Sequence, residues 1–409
     1  MTLKALLHRI TSNILVLPLR LFKRKFKLIG VTGTDGKTTT STLIYNMLKK
    51  DKRKVALITT IGIFIDKEFI STGLHTTTPS AIFIWKMLYK VRKFDFVVIE
   101  VSSHAIDQGR IAGLLFDTIV YTNITHDHLD YHKNWNNYAN TKANLRFHIN
   151  RKTGVAIINA DDRKSYKFLR KKFKGYNVIS YGIYHDADIR AFHILKDSFD
   201  VKSNKINTTF KTNLFGEYNI SNSLAAIACV LRYDVSLKGI SAVISDFPKI
   251  PGRFDVLSYS PLIFVDFAHT ANAIYNVLAA VSYKKEGNSK IISVFGAPGE
   301  RDKLKRPSMG KAASKFSDVI IITADDPRYE SLDNIFNDIT KKIDKSKFKL
   351  NKNLFKIDSR DNAIRFALKI ASKNDIVAVL GKGHEESLSI KGKEYSWNDK
   401  KFIQKLLGR

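Results

Sequence analysis

Cysteine is nearly missing from this chain: its 409 residues include one, Cys229, within the apolar stretch SLAAIACVL. An internal disulfide and a cysteine-clustered zinc site are therefore excluded, and Cys229 is expected to be a buried structural thiol. No run reaches the roughly 18 apolar residues of a transmembrane helix. Acid is scarce beside base, with 38 Asp and Glu against 68 Lys and Arg, a formal charge of +30. That balance suits nucleic acid, an anionic membrane surface or acidic small molecules. No aromatic-basic nucleic-acid motif accompanies it, so nucleic acid is not an expected partner. Basic runs such as RKSYKFLRKKFK and DKSKFKLNKNLFK read as solvated faces. Hydrophobic content of 44% and charged content of 26% are ordinary for a globular protein of two or three domains.

The first 27 residues carry seven Lys or Arg and no acid. Their apolar run, Ile14 to Leu19, is interrupted by Pro18, and most of the charge follows it, which is not the order of a signal peptide. Residues 1–27 are expected to form a basic amphipathic arm that touches a membrane surface peripherally or packs on the body.

From residue 28 the pattern is strand, polar turn, helix. Residues 28–32 (LIGVT) predict a buried strand, a glycine-rich turn follows, and a helix is expected from Thr38 to Lys50. VALITT, FVVIEV, TIVYTNI and GVAIINADD predict four more strands. A composition break at Pro251-Gly252 precedes a second series: PLIFVDFAHT, KIISVFGAPG, DVIIITADDP and DIVAVLGKG. The expected class is α/β. A central P-loop ATPase domain with a mainly parallel sheet spans residues 28–250, and a C-terminal Rossmann-like α/β domain spans 251–409.

Polar residues gather where the predicted strands end. Gly33-Thr34-Asp35-Gly36-Lys37-Thr38-Thr39 lies between a strand and a helix. Glycines let backbone N–H groups face phosphate oxygens, and the following helix N-terminus favours anions. Lys37 is suited to the β- and γ-phosphates of ATP, and Thr38 to Mg²⁺. The strict Walker pattern has glycine where this chain has Val31. Glu100 closes an otherwise apolar strand, where a carboxylate needs water or a partner, and a metal is one such partner. ITHDHLDYH crowds His126, His128 and His132 with Asp127 and Asp130. Zinc fits that composition, and an oxygen ligand plus an imidazole equally suits Mg²⁺ or Mn²⁺ beside ATP.

Taken in order, VTGTDGKTTT, HTTTP, EVSSHAIDQGR, TNITHDHLDYH, TKANLRF, GEYNISNSLAA, GRFD, VDFAHT, GERDKLKRPSMG, DDPR and GKGHE resemble the Mur ligases. Within them the likeness is to the branch that adds the third peptide residue to UDP-N-acetylmuramoyl-dipeptide, and it runs from about residue 28 to the C-terminus. EVSSHAIDQGR and DHLDYH favour this branch over the folate-glutamate ligases that share the fold. The resemblance implies a cytoplasmic ATP-dependent peptide synthase of cell-wall biogenesis, acting on small molecules: ATP, an amino acid and a muramoyl-peptide precursor. It implies a substrate carboxylate phosphorylated by ATP, then attacked by an amine. Two metal ions are implied, one on Thr38 and Glu100 and one on His128, with Lys37, Lys142 and His128 catalytic. Lys142 matches the family's carbamylated lysine. Thr77, Thr78, Ser102, Gln108 and Arg110 match contacts to the acyl substrate, and Asn219, Arg253, Asp266 and His269 fall in motifs that close over ATP. Arg301, Asp325, Asp326, Pro327, Arg328, Gly381 and Glu385 match the pocket for the incoming amino acid. Its two arginines and nearby acids favour an amino acid with an extra carboxylate and amine, meso-diaminopimelate over lysine.

Departures from the family qualify this. Members normally carry an N-terminal uridine-binding domain, and about 30 residues before the phosphate loop are too few for one. The remaining domains, a partner protein or a lipid-linked substrate at the inner membrane surface are the alternatives for that role. Asp326 stands where the diaminopimelate-selecting pattern has asparagine, Asp35 where asparagine is commoner, and Ala271-Asn272 where Pro-Asp is usual. Two other functions compete: an amide ligase on a lipid-linked or partner-presented precursor, and a non-catalytic nucleotide-binding protein. Relatives of the former sort carry a cysteine cluster that is missing here, and intact Lys37, Glu100, His128 and Lys142 oppose the latter.

Overall fold

The computed structural model describes residues 11–12, 24–66, 68–71, 77–247 and 249–408. The arm expected over residues 1–27 lies outside the described residues except at 11–12 and 24–27. The chain forms two compact units: residues to Ile124 with Asn134–Phe247, and Thr125–Lys133 with Pro248–Arg409. The segment carrying His126, Asp127 and His128 thus belongs to the second unit.

The first unit is built on β1 (Lys27–Thr32), β2 (Val55–Ile58), β3 (Ile63–Ile65), β4 (Glu68–Ile70), β5 (Phe96–Glu100), β6 (Thr118–Tyr121), β7 (Val155–Asn159), β8 (Asn177–Gly182), β9 (Ile189–Phe192), β10 (Ser198–Lys202) and β11 (Asn207–Lys211). Their spatial order is β11-β10-β9-β8-β7-β6-β1-β5-β2-β3-β4. From β9 to β2 the pairings are parallel. β3, β4, β10 and β11 extend the edges antiparallel. The central strands are buried on both faces, so their sequences are continuous apolar runs rather than alternating ones. Helix α1 (Lys37–Lys50) returns from β1 towards β2 and packs on α2 (Glu217–Leu231), whose buried residues include Cys229. Burial pushes the Cys229 thiol far above its ordinary range, which makes it inert. β1 lies between β5 and β6, and the chain crosses it to pass from one side of the sheet to the other. A ligand cleft forms at such a switch point, outside the carboxyl ends of the strands.

The second unit repeats the logic with β12 (Asp255–Tyr259), β13 (Leu262–Asp266), β14 (Ile291–Phe295), β15 (Val319–Ile322), β16 (Leu354–Lys356) and β17 (Ile376–Leu380), in the order β12-β13-β17-β14-β15-β16. All but β12 run parallel. A hairpin of β18 (Ser387–Ile390) and β19 (Lys393–Ser396) follows. Among the described residues no helix is long and apolar enough to cross a membrane.

Candidate active site

The glycine loop is held from below by the end of β6. Thr34 N donates to the Asn123 carbonyl at 2.8 Å, and Asp35 N to Asn123 Oδ1 at 2.9 Å. Thr122 Oγ1 donates to the Asp35 carbonyl at 2.6 Å. A Cβ on Gly33 would stand 1.8 Å from Thr122 Oγ1. Gly36, at φ 81°, has Asn222 Oδ1 2.3 Å from where a Cβ would be. No side chain caps the start of α1, so its first N–H groups are left for a ligand. Thr38 and Thr39 are buried in that first turn. Lys37 Nζ donates to the carbonyls of Gly33 (3.2 Å) and Thr34 (2.8 Å), which holds its charge over the loop. Asn219 donates to the Phe215 carbonyl and accepts from Asn222, tying α2 to the same corner.

Glu100 ends β5 beside Val31 of β1 and is fully buried. Its Oε2 accepts from Thr60 N at 2.7 Å and Thr60 Oγ1 at 2.6 Å, whereas its Oε1 is buried without a hydrogen-bond partner. A buried carboxylate oxygen in that state is costly, and a cation satisfies it. The donor set of the buried Thr38 and Glu100 is hard oxygen, which fits Mg²⁺ or Mn²⁺.

Lys142 lies in the last turn of the helix Trp135–Ala143 and is 1% exposed. It is thus not a surface lysine. Its Nζ donates to the Gly33 carbonyl at 2.8 Å and lies 3.5 Å from Thr32 Oγ1, directly behind the phosphate loop. Five residues matched to the acyl substrate also form a group. Thr78 Oγ1 donates to the Glu100 carbonyl and accepts from Ser102 N. Arg110 donates to Gln108 Oε1 through Nε and Nη2 and to the Thr78 carbonyl through Nη1. Thr77 is half-buried beside them in sequence.

In the second unit Asp127 is buried, with Lys305 Nζ at 2.9 Å, His128 Nε2 at 3.3 Å and His269 Nε2 at 3.8 Å. Burial pushes its carboxyl up, but the Lys305, His128 and His269 charges outweigh that and hold it well below the ordinary range. Asp302 faces His126 at 3.2 Å and accepts from Leu129 N. Among the described residues no group of three or more His, Cys, Asp or Glu is placed to hold a metal, so the zinc cluster compatible with ITHDHLDYH does not form. His132 is buried against Tyr131, and Asp127 is engaged by Lys305. His128 itself remains 43% exposed in a left-handed backbone conformation (φ 54°). Asp266, at the end of β13, accepts from Phe254 N and Ala268 N, and Arg253 stacks on Phe267 at 4.4 Å.

The residues matched to the amino-acid pocket come from the ends of β15 and β17, except Arg301, which follows β14. Asp325 is buried, and a Cβ on Gly381 would stand 2.3 Å from its Oδ2. Burial pushes Asp325 up to about 6, with Arg360 and Lys382 opposing. Asp326 Oδ1 accepts from Lys382 Nζ and Ser389 N, both at 2.8 Å. Lys382 also reaches Glu385 Oε2 at 2.5 Å. Arg328 donates to the Gly299 carbonyl at 3.4 Å, and among the described residues no carboxylate lies within ion-pair distance of it. Pro327 closes the turn over Gly299, where a Cβ would meet the Pro327 carbonyl oxygen at 1.9 Å. Arg301 is exposed, with Asp130 in its field.

Several supporting residues escaped sequence reasoning: Thr60 beneath Glu100, Asn123 beneath the loop, Lys305 on Asp127, and Arg360. Arg360 is fully buried and bidentate on Asp399, and donates to the carbonyls of Ala324 and Leu380, the residues just before Asp325 and Gly381. Lys305 and Asn123 stand inside the motifs GERDKLKRPSMG and TNITHDHLDYH, so their position is a signal. Thr60 and Arg360 carried none.

A phosphate loop at the switch point of a parallel sheet, a buried acid beside it and a second Rossmann-like unit define a nucleotide-dependent enzyme of the P-loop class. The Mur ligase middle domain matches residues 31–230, and the Mur ligase glutamate ligase domain matches residues 252–383. The UDP-N-acetylmuramoyl-L-alanyl-D-glutamate--2,6-diaminopimelate ligase of Clostridium botulinum is 35% identical over 396 residues, covering 94% of this chain and 78% of that protein. The Aquifex aeolicus protein of the same name is 38% identical over 396 residues, with 94% and 78% covered. A solved structure of such a ligase superposes with TM-score 0.62 at 28% identity, over 98% of this chain and 82% of that one. A folylpolyglutamate synthase of Mycobacterium tuberculosis, complexed with ADP and AMPPCP, shares the fold at 15% identity and TM-score 0.73, over 98% and 95% of the two chains. The chain belongs to the Mur ligase family of ATP-dependent, amide-bond-forming enzymes.

Proposed function

We propose that this ligase adds meso-diaminopimelate to the dipeptide carboxylate of a UDP-N-acetylmuramoyl precursor in peptidoglycan synthesis. The observation that carries the choice of amino acid is the pair Asp326 and Arg328. Asp326 is engaged by Lys382 and Ser389 N and does not quench Arg328, whose guanidinium has no acid of its own among the described residues. A second carboxylate on the incoming amino acid would supply that anion, at roughly 1.5–3 kcal/mol for each charge-assisted hydrogen bond. Lysine would not.

The proposed chemistry is acyl-phosphate formation followed by amide-bond formation. An oxygen of the acceptor carboxylate attacks the γ-phosphorus of ATP, and ADP leaves. The amine nitrogen then attacks the acyl carbon, and phosphate leaves with the carboxylate oxygen while the amine gives up a proton. Lys37 and the N–H groups of the glycine loop hold the transferring phosphoryl group and offset its charge. Thr38 and Glu100 are the residues that would hold a divalent metal, with His128 for a second ion, and the metal supplies charge neutralisation at the phosphates. Lys142 is placed behind the loop, where a carbamate formed from its amine and CO₂ would turn a cation into an anion beside substrate or metal. Thr78, Ser102, Gln108 and Arg110 orient the acceptor. Asn219 of the first unit, and Arg253, Asp266 and His269 of the second, are the further residues assigned to ATP.

The test is a competition between meso-diaminopimelate and lysine with UDP-N-acetylmuramoyl-dipeptide, products separated by mass. The unmodified enzyme and Asp326→Asn should both favour diaminopimelate, and Arg328→Ala should lose the preference. Lysine chosen by the unmodified enzyme and diaminopimelate by Asp326→Asn would make Asp326 the selector and end this reading.

A further inference from the structure

The polarity of the first unit's sheet separates two charged edges. The phosphate loop, Glu100 and Asn123 stand at the carboxyl ends of the parallel strands. The opposite edge, where the strands begin, carries exposed lysines along its length, with Asp51, Asp95 and Asp117 among them. Lys174 precedes β8, Lys152 precedes β7, Lys25 precedes β1, Lys93 precedes β5, and Lys52 and Lys54 precede β2. All six are exposed. Among the described residues the ion pairs here are Arg24 and Lys27 with Asp117, Arg53 with Asp51 and, next to Tyr89, Lys90 with Glu68, and none of the six takes part in one. The row is assembled from five separate segments, so no single charge run in the sequence reveals it. It faces away from the phosphate loop, so binding ATP does not account for it.

Apolar side chains stand in the same edge. Leu115, just before β6, is 43% exposed, and Tyr89, before β5, is 58% exposed. Phe147 is 65% exposed, two residues before Ile149, which bridges Phe116 at the start of β6. Lysines interleaved with exposed aromatic and aliphatic groups match a lipid interface, where ammonium groups meet anionic headgroups and apolar groups enter the acyl boundary. Leu115 would gain nothing from a nucleic-acid base, which favours lipid over a polynucleotide. From β8 to β2 the row spans on the order of 24 Å at the usual strand spacing, broad enough to lie on a surface. β1 begins at this edge, with Lys25 just before it.

We propose that this amino-end edge of the first unit is a docking face for an anionic lipid bilayer, leaving the phosphate loop turned toward the aqueous side. The experiment is co-sedimentation of the full chain with phosphatidylcholine vesicles and with vesicles that also contain phosphatidylglycerol. Binding should require phosphatidylglycerol and weaken with salt. A variant combining Lys52→Glu, Lys93→Glu, Lys152→Glu and Lys174→Glu should bind about tenfold or more weakly, with ATP turnover in vesicle-free solution unchanged. Leu115→Ser with Phe147→Ser should also weaken binding without altering turnover. Because residues 1–23 are present in every variant, undiminished binding by the lysine variant would place the contact elsewhere and overturn the proposal. So would equal binding to both vesicle types, binding to neither, or tighter binding of a single-stranded RNA oligonucleotide than of the anionic vesicles.

Discussion

Glu100 shows how one residue can be tested apart from the fold around it. Thr60 donates twice to its Oε2, and a glutamine carbonyl would accept the same two bonds, while Oε1 would become an amide nitrogen with no negative charge. Glu100→Gln should therefore melt like the unmodified protein but need about tenfold or more Mg²⁺ for half-maximal ADP release. An unchanged metal titration would remove Glu100 from the metal site. Asp325 makes a different prediction. Burial raises its pKa to about 6, so the native state holds this proton where the unfolded chain has released it. Between about pH 4 and 6 the native state binds more protons, and this residue's contribution to stability falls as pH rises, by about 3 kcal/mol over the window. Asp325→Asn should lack that slope when unfolding by denaturant is compared on either side of the window. A slope equal to that of the unmodified protein would contradict the assignment.

At the scale of elements, the ends of β15 and β17 are tied by buried cations, Arg360 among them. Arg360 binds Asp399 and the carbonyls of Ala324 and Leu380. Removing it leaves Asp399 buried with no countercharge, so Arg360→Met should cost about 3–5 kcal/mol, and adding Asp399→Leu should recover much of it. Denaturant unfolding of the single and double variants measures both. The same elements show what could be read in advance. LIGVT, FVVIEV and DIVAVLGKG became β1, β5 and β17 because strands buried on both faces leave long apolar runs. β3, β4, β10 and β11 were missed because they are short antiparallel edge strands of mixed polarity, such as Asn207–Lys211, and the parallel β8 and β9 because they too mix polar and apolar residues. The loop, Glu100 and Lys142 were legible through motifs. Thr60 and Arg360 were not, since their roles depend on residues 40 and 39 positions away.

Over the whole molecule, two α/β units divide the chemistry. The first gathers the phosphate loop, Glu100, Lys142 and the bonded group of Thr78, Gln108 and Arg110. The second gathers Asp127, His128, Asp266 and the cluster of Asp325, Asp326 and Arg328. The linear order of motifs does not show that Thr125–Lys133 leaves the first unit to pack with the second. That arrangement follows from Asp127 on Lys305 and Leu129 N on Asp302. What unites the units is the claim that ATP phosphorylates a carboxylate that an amine then attacks. The most direct measurement uses acceptor dipeptide labelled with heavy oxygen in the reacting carboxylate, together with ATP and meso-diaminopimelate, and follows the label by mass spectrometry. The account predicts ADP, an amide product heavier by the added amino acid, and a single labelled oxygen in the released phosphate. Unlabelled phosphate, or release of AMP in place of ADP, would contradict it.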